Sequence, residues 1–401
     1  MSTRGDAYRG VDAGRPMGVP TGEQTGRLTG GHPLTRRRFV ELFAGATVAG
    51  AAAPLLAGCA DGDAARRLVT DMGGRAVEIP QNVGRVLCTN PIGTVDVYLL
   101  DPTLLVGWNF KPQAADAAFL DATALELPSL GVWMGAGSVP NAEEVLAARP
   151  DVLLCFWSTD EAGVRMADSI AAEMRLPVLL CDCNIERVVE TYGFLGEVFG
   201  EPLQERIATL SSYFAEKLDL IRSTVAHIPA DELRSVFLSE GKGGLQTDPV
   251  GSLHVQDALN LLRTRNVVDL PGSEGQGMGM PNVSIEQIIT WDPSAILVSE
   301  YSMSDTAKSD LYHEIRADAN WNMVPAVAAG EVYQIPQSPF SWFGRPPSAV
   351  RVLGCLWLLC RLYPAQAEAA GIELEAEVRE FFSLCLARDL TEAESAALLK
   401  Q

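Results

Sequence analysis

One apolar stripe limits what this chain can fold into. Leu203, Ile207, Leu210, Phe214, Leu218, Ile221 and Val225 recur in steps of three and four, which places them on one face of an amphipathic helix. Gly200 precedes the stripe, Pro202 sits where a first helical turn tolerates proline, and Pro229 ends it. The spacing predicts a helix of about 25 residues, about 38 Å long. That is too long for an ordinary crossover and too solitary for a coiled coil. Strand and helix patterns alternate on both sides of it. The expectation is an α/β protein: two α/β lobes joined by one long rigid helix, with a cleft between the lobes.

On the N-terminal side, Leu68–Pro80 reads as a hairpin turning at Met72-Gly73-Gly74-Arg75. Strands are expected at Arg85–Cys88, Leu104–Gly107, Val152–Phe156 and Val178–Cys181, and helices at Thr94–Leu100, Ala142–Ala148 and Ala162–Met174. Past the long helix, strands are expected at Ser235–Leu238, Ala295–Val298 and Val332–Ile335. Helices there are expected at Leu253–Leu262, Ile285–Trp291, Asp310–Ala317 and Ala349–Tyr363, with closing helices in Glu373–Leu399.

Residues 1–34 are rich in Gly, Arg and Thr and show no periodicity. Arg36-Arg37-Arg38-Phe39 then precedes an apolar run from Leu42 to Leu56, too short for a membrane span and suited to a signal sequence. The order resembles a twin-arginine export signal, and Leu56-Ala57-Gly58-Cys59 resembles a lipobox. The expected organisation is a signal peptide over 1–58, lipidation at Cys59 and a tether over 59–67. An N-terminal lobe over 68–200, the joining helix over 201–228 and a C-terminal lobe over 229–401 follow. The whole chain carries net charge −20; residues 1–58 hold seven Arg and four acids, so the body keeps 24 basic and 47 acidic side chains, net −23. Such a body is not a nucleic-acid binder. Lipid anchoring would hold it on the outer face of the cell membrane. Seven cysteines remain after Cys59, scattered through apolar runs, and no essential disulfide is expected.

A repeat links the two halves. Asn141-Ala142-Glu143 leads through a short helical pattern to Pro150-Asp151-Val152, and Ser284-Ile285-Glu286 leads likewise to Pro293-Ser294-Ala295. Asn141 and Ser284 are good N-caps, and each unit carries a glutamate in its first turn, where the helix dipole favours it.

At this point the chain resembles the substrate-binding lipoproteins of ABC importers for iron complexes, haem and vitamin B12. The resemblance spans about Leu68–Pro364. It rests on Val69-Thr70-Asp71-Met72-Gly73-Gly74-Arg75, the two glutamate-bearing units, Trp321–Val327 with Gly330-Glu331-Val332-Tyr333, and Ser338–Ser348. It implies capture of an iron complex (siderophore or haem) or a corrinoid and delivery to an ABC permease dimer with its ATPase. It also implies docking through Glu143 and Glu286, which would meet permease arginines. A monomer is expected, with no resident cofactor. A ligand-sensing lipoprotein uncoupled from transport would share the fold without needing those glutamates.

Ligands of open α/β sheets sit beyond the carboxyl ends of strands. Aromatic residues occupy those places: Trp108, Trp157 and Tyr301 follow strand patterns, Trp133 lies in a Gly-rich loop, and Trp342 and Arg345 lie after Val332–Ile335. These six are the expected ligand-binding residues, suited to a flat chelate with an anionic group. A bare metal ion would need a cluster of His, Asp and Glu. His227 and His313 read as surface residues, His254 opens a helix near the cleft, Met278 and Met280 read as apolar filler, and Tyr98 as core. Catalysis is not expected. No Gly-x-Ser-x-Gly or His-Glu-x-x-His occurs, and Gly241-Lys242-Gly243-Gly244 lacks the ending of a phosphate loop.

Overall fold

The computed structural model describes residues 65–133, 139–270, 280–300 and 310–400. The expected signal peptide and Cys59, together with Met278 and Tyr301, therefore lie outside the described residues. A short antiparallel hairpin comes first, β1 (Arg66–Thr70) with β2 (Ala76–Pro80). Asp71 organises its turn. One carboxylate oxygen accepts the backbone N–H groups of Gly73 and Arg75, and the other accepts Leu180 N–H at 2.9 Å, so the hairpin is fastened to the sheet behind it.

That sheet is parallel and runs in the order β3 (Val86–Cys88), β4 (Val152–Trp157), β5 (Val178–Asp182). A second parallel sheet runs β7 (Arg265–Asn266), β6 (Ser235–Ser239), β8 (Ala295–Val298), β9 (Val332–Gln334). Every residue of β4, β5, β6 and β8 is buried, as expected for parallel strands covered on both faces. The second sheet shows why. Val236, Leu238, Ala295 and Leu297 face the main core, while Phe237, Ile296 and Val298 face a smaller one on the other side.

The long helix runs Gln204–Ala226, 23 residues behind a 3-10 turn at Glu201–Leu203. Its stripe lies in the main core with helices Val188–Phe199 and Arg351–Leu362. Arginine side chains tie both of its ends. Arg206 donates to the carbonyls of Leu99 (2.7 Å) and Leu384 (2.6 Å) near its start. Arg263 donates to the carbonyls of Val225 and Ile228 at 2.9 and 3.0 Å at its finish, supplying donors that the last helical turn lacks.

Two expectations need correction, and one helix was not expected. Leu104–Gly107 is not a strand: a 3-10 turn at Pro102–Leu104 intrudes, leaving a single parallel bridge between Leu105 and Val86. Helix Leu253–Leu262 shrinks to Gln256–Leu261, because Ser252 and His254 are drawn into side-chain bonds around Asp248. Helix Val188–Phe199 had no sequence-based expectation. It is mostly buried, with a narrow exposed stripe at Glu190, Gly193 and Glu197.

Candidate functional site

The carboxyl ends of the two sheets meet across a set of direct bonds. Asp96, on helix Pro91–Leu100, accepts the Ala349 N–H at 2.7 Å. Ser338 Oγ bonds Asp116. Arg351 grips Asp257 with two bonds of 2.6 and 2.9 Å and donates to the carbonyl of Cys183, just past β5, at 2.9 Å. Asp257 in turn accepts Ile185 N–H at 2.7 Å. Segment 335–350, which follows β9, is therefore held against both halves of the molecule.

Arg345 lies in that segment and points back to its own side. Its Nη2 is 2.7 Å from Asp248 Oδ1, its Nη1 donates to His254 Nε2 at 3.1 Å, and its Nε is 3.5 Å from Glu240 Oε2. Donation into Nε2 leaves the imidazole proton on Nδ1, 3.5 Å from Asp248 Oδ1. Burial and the neighbouring guanidinium charges lower the His254 pKa and outweigh the pull of Asp248, so the ring is neutral. Asp248 is held below the usual carboxylate range. Burial opposes this, but the hydrogen bonds from His254 and Ser252 and the charge of Arg345 prevail.

Glu240 is the acid on the losing side. It follows β6 directly and is 2% exposed. Gly241, Gly243 and Gly244 all take positive φ, a conformation L side chains rarely adopt, and turn the chain back on itself. Glu240 N–H then donates to Gln246 O at 2.8 Å and Gln246 N–H to Glu240 O at 3.0 Å, which sets Thr247 and Asp248 beside it. Burial, then repulsion from Asp248, pushes the Glu240 carboxyl up to about 8, against the pull of Arg345 and Ser299. Among the described residues neither Glu240 oxygen has a hydrogen bond of normal geometry, nor do Thr247 Oγ1, Asp248 Oδ2, Ser299 Oγ and Arg345 Nε, though all are buried.

The expected aromatic lips fare differently. Trp108 is core: its indole N–H donates to Ala124 O at 2.7 Å and its ring stacks on Tyr98 with centroids 5.6 Å apart. Tyr98 is itself core, as expected, its hydroxyl accepting the Asp121 N–H. Trp342 is also core, fully buried, donating to Ser338 O at 3.1 Å. Its carbonyl presses on Gly354, where a Cβ would come within 1.7 Å. Both rings are packed inward: the segment before Trp108 forms no strand, and Trp342 lies in the long segment after β9. Trp157 closes β4 and is 8% exposed; Trp133 is half-buried, with an indole N–H that has no partner among the described residues. Of the five that are described, only Arg345 joins the polar group. Glu240, Thr247, Asp248 and Ser299 were missed. The available signal was an acid and a glycine directly after a buried apolar strand.

Glu143 and Glu286 are exposed in the first turns of Ala142–Ala147 and Ile285–Trp291. Asn141 caps the first helix and a capping box of Ser284 and Gln287 the second. The Glu286 carboxyl is lowered by its own backbone N–H and by Ser284.

The periplasmic binding protein family model matches residues 99–339. The chain belongs to this family. It is an extracytoplasmic solute-binding protein of the ABC-transporter type, with two lobes flanking a cleft. The molybdate-binding protein MolA of Haemophilus influenzae is 24% identical over 332 residues, 79% of this chain and 90% of that protein. An ABC transporter solute-binding protein from Sulfurospirillum deleyianum superposes with a TM-score of 0.72 at 29% identity, covering 84% of this chain and 99% of that one. The periplasmic vitamin B12 binding protein BtuF of Vibrio cholerae shares the fold at a TM-score of 0.50 and 16% identity, covering 73% and 99%. Among the described residues no helix is long and apolar enough to cross a membrane.

Proposed function

We propose that this protein, anchored by lipid at Cys59, captures an oxygen-rich, metal-containing anion and delivers it to an ABC permease through Glu143 and Glu286. The observation that carries this reading is the buried group at the carboxyl end of β6, β8 and β9. Arg345 Nε–H, Ser299 Oγ–H and Thr247 Oγ1–H are buried donors without a hydrogen bond of normal geometry there, the first two only loosely engaged with Glu240, and buried donors so placed favour an oxygen acceptor. A metal oxyanion and a ferric siderophore both present such oxygens, and the relative MolA, a molybdate-binding protein, supports the first. Haem and corrinoids rank lower for this chain. They were expected from a flat aromatic cleft, and Trp108 and Trp342 are taken up by the cores.

Calorimetric titration of the purified protein with molybdate, a ferric tris-catechol complex, haemin and cobalamin tests the reading. Saturable binding of either of the first two supports it. Binding of haemin or cobalamin alone would replace it with the planar-ligand reading. A ligand-sensing role uncoupled from transport would leave uptake unaffected when Glu143 and Glu286 are changed.

A further inference from the structure

Resting on that reading of the solute, the inference concerns which part of the polar group meets it and in what protonation state. The charges are few. Arg345 is positive and Asp248 negative, and their 2.7 Å contact cancels them. Burial and the neighbouring guanidinium charges keep His254 neutral. Glu300, next to Ser299, is occupied with the Tyr312 N–H at 3.2 Å. What remains is Glu240, almost sealed from water, with the Ser299 hydroxyl acting on it, Arg345 Nε 3.5 Å away and buried Thr247 following Gln246, whose backbone pairs with that of Glu240.

An anionic oxygen entering beside an ionised Glu240 would gather two carboxylates and an anion around one guanidinium. A buried, uncompensated negative charge of that kind costs far more than a proton. The conflict disappears if one proton lies between the carboxyl and the incoming oxygen, as when two acids share a site.

We propose that Glu240, with Ser299 Oγ, Thr247 Oγ1 and Arg345 Nε–H, forms a proton-sharing subsite for one oxygen of an anionic solute. The proton comes from solvent and is held between Glu240 and that oxygen; no covalent bond is made or broken elsewhere. The hydroxyls and Nε–H donate to the same oxygen or its neighbours. Because burial already favours the protonated carboxyl, the subsite is charged with its proton at neutral pH and must recruit one at alkaline pH. The subsite thereby selects anions that tolerate a shared proton. A cationic solute would behave oppositely and expel the proton.

The experiment is a proton count. Molybdate, and separately a ferric tris-catechol complex, is titrated calorimetrically into the protein at pH 6 and pH 9, each in two buffers of different ionisation enthalpy. The wild type is expected to take up about one proton per molybdate at pH 9 and almost none at pH 6, and affinity should fall about tenfold per pH unit above the Glu240 midpoint. Glu240→Gln keeps the shape and an N–H donor but has nothing to titrate, so its count at pH 9 should drop to near zero and its affinity should lose the pH dependence. Binding with no proton uptake, or the same uptake in Glu240→Gln, overturns the subsite and leaves the solute reading intact. Proton release on binding also overturns it. Failure of both probes to bind at either pH defeats the solute reading and the subsite with it. If Glu240→Gln does not fold, the wild-type count in the paired buffers still decides, and Ser299→Ala should weaken binding without changing the count. Uptake with only one probe identifies which class supplies the oxygen.

Discussion

The Asp96 carboxylate accepts the backbone N–H of Ala349 at 2.7 Å, across 253 positions of sequence. The bond ties the first helix of the N-terminal half to the segment that carries Arg345. It is buried, and its acceptor is titratable.

Burial raises the Asp96 carboxyl to about 7, opposed by the Ala349 N–H and the Arg351 charge. An acid raised in the folded state stabilises the fold most when protonated. Its contribution is full below the unfolded value of about 4 and is lost as pH rises through about 7. Asp96→Asn keeps an oxygen for Ala349 and cannot ionise. Between pH 5 and pH 8 it should lose less stability than wild type, by roughly 1–3 kcal/mol. Urea denaturation at both values checks this, and parallel pH profiles would count against it.

Arg351 is fully buried and holds Asp257, Cys183 O and His254 O together. Arg351→Ala strands a carboxylate in the interior, so a loss of roughly 3–5 kcal/mol is expected in a denaturation midpoint. These ties also restrain the lobes. Scattering profiles with and without solute should differ little for wild type, and a large contraction would contradict that.

Tryptophan emission should separate lip from core. Trp108 and Trp342 are sealed and hydrogen-bonded, so solute-induced changes should survive Trp108→Phe. They should fall sharply in Trp133→Phe, because that ring is part-exposed. Equal loss in both variants would reinstate Trp108 as a contact residue.

Arg345→Ala removes the guanidinium and leaves Asp248 buried without its partner. Solute affinity should fall at least tenfold, since a charge-assisted bond contributes about 1.5–3 kcal/mol. Arg345→Lys restores charge but not the fork and should recover only part of the affinity. Unchanged affinity in the alanine variant would remove Arg345 from the site.

Charge reversal at both Glu143 and Glu286 should abolish uptake while solute affinity stays within about twofold, because exposed charges guide docking rather than hold the fold. Uptake in reconstituted vesicles set against calorimetric affinity makes the comparison. Unchanged uptake would end the docking proposal.

The long helix, the hairpin, the principal parallel strands and the two glutamate-bearing units were legible because each rests on local regularities: a period of 3.6, a short run of apolar residues, a cap just before a first-turn acid. Family membership was legible for the same reason, since its marks are short and contiguous. The site was legible only in part. Arg345 stood out as a charge in an aromatic loop, whereas the letters mark Glu240 only as an acid before a glycine at the end of an apolar strand and do not tell that it is buried. Its burial comes from the three glycines that fold Gln246 back on it and from two strands distant in sequence. The tryptophans failed in the opposite direction, because a ring after a strand reaches the cleft or the core according to how its loop is turned. Sequence alone thus determined which elements form and how they alternate. Tertiary structure decided which side chains lose water together, and desolvation by distant neighbours is what converts an ordinary glutamate into a buried acid that holds its proton.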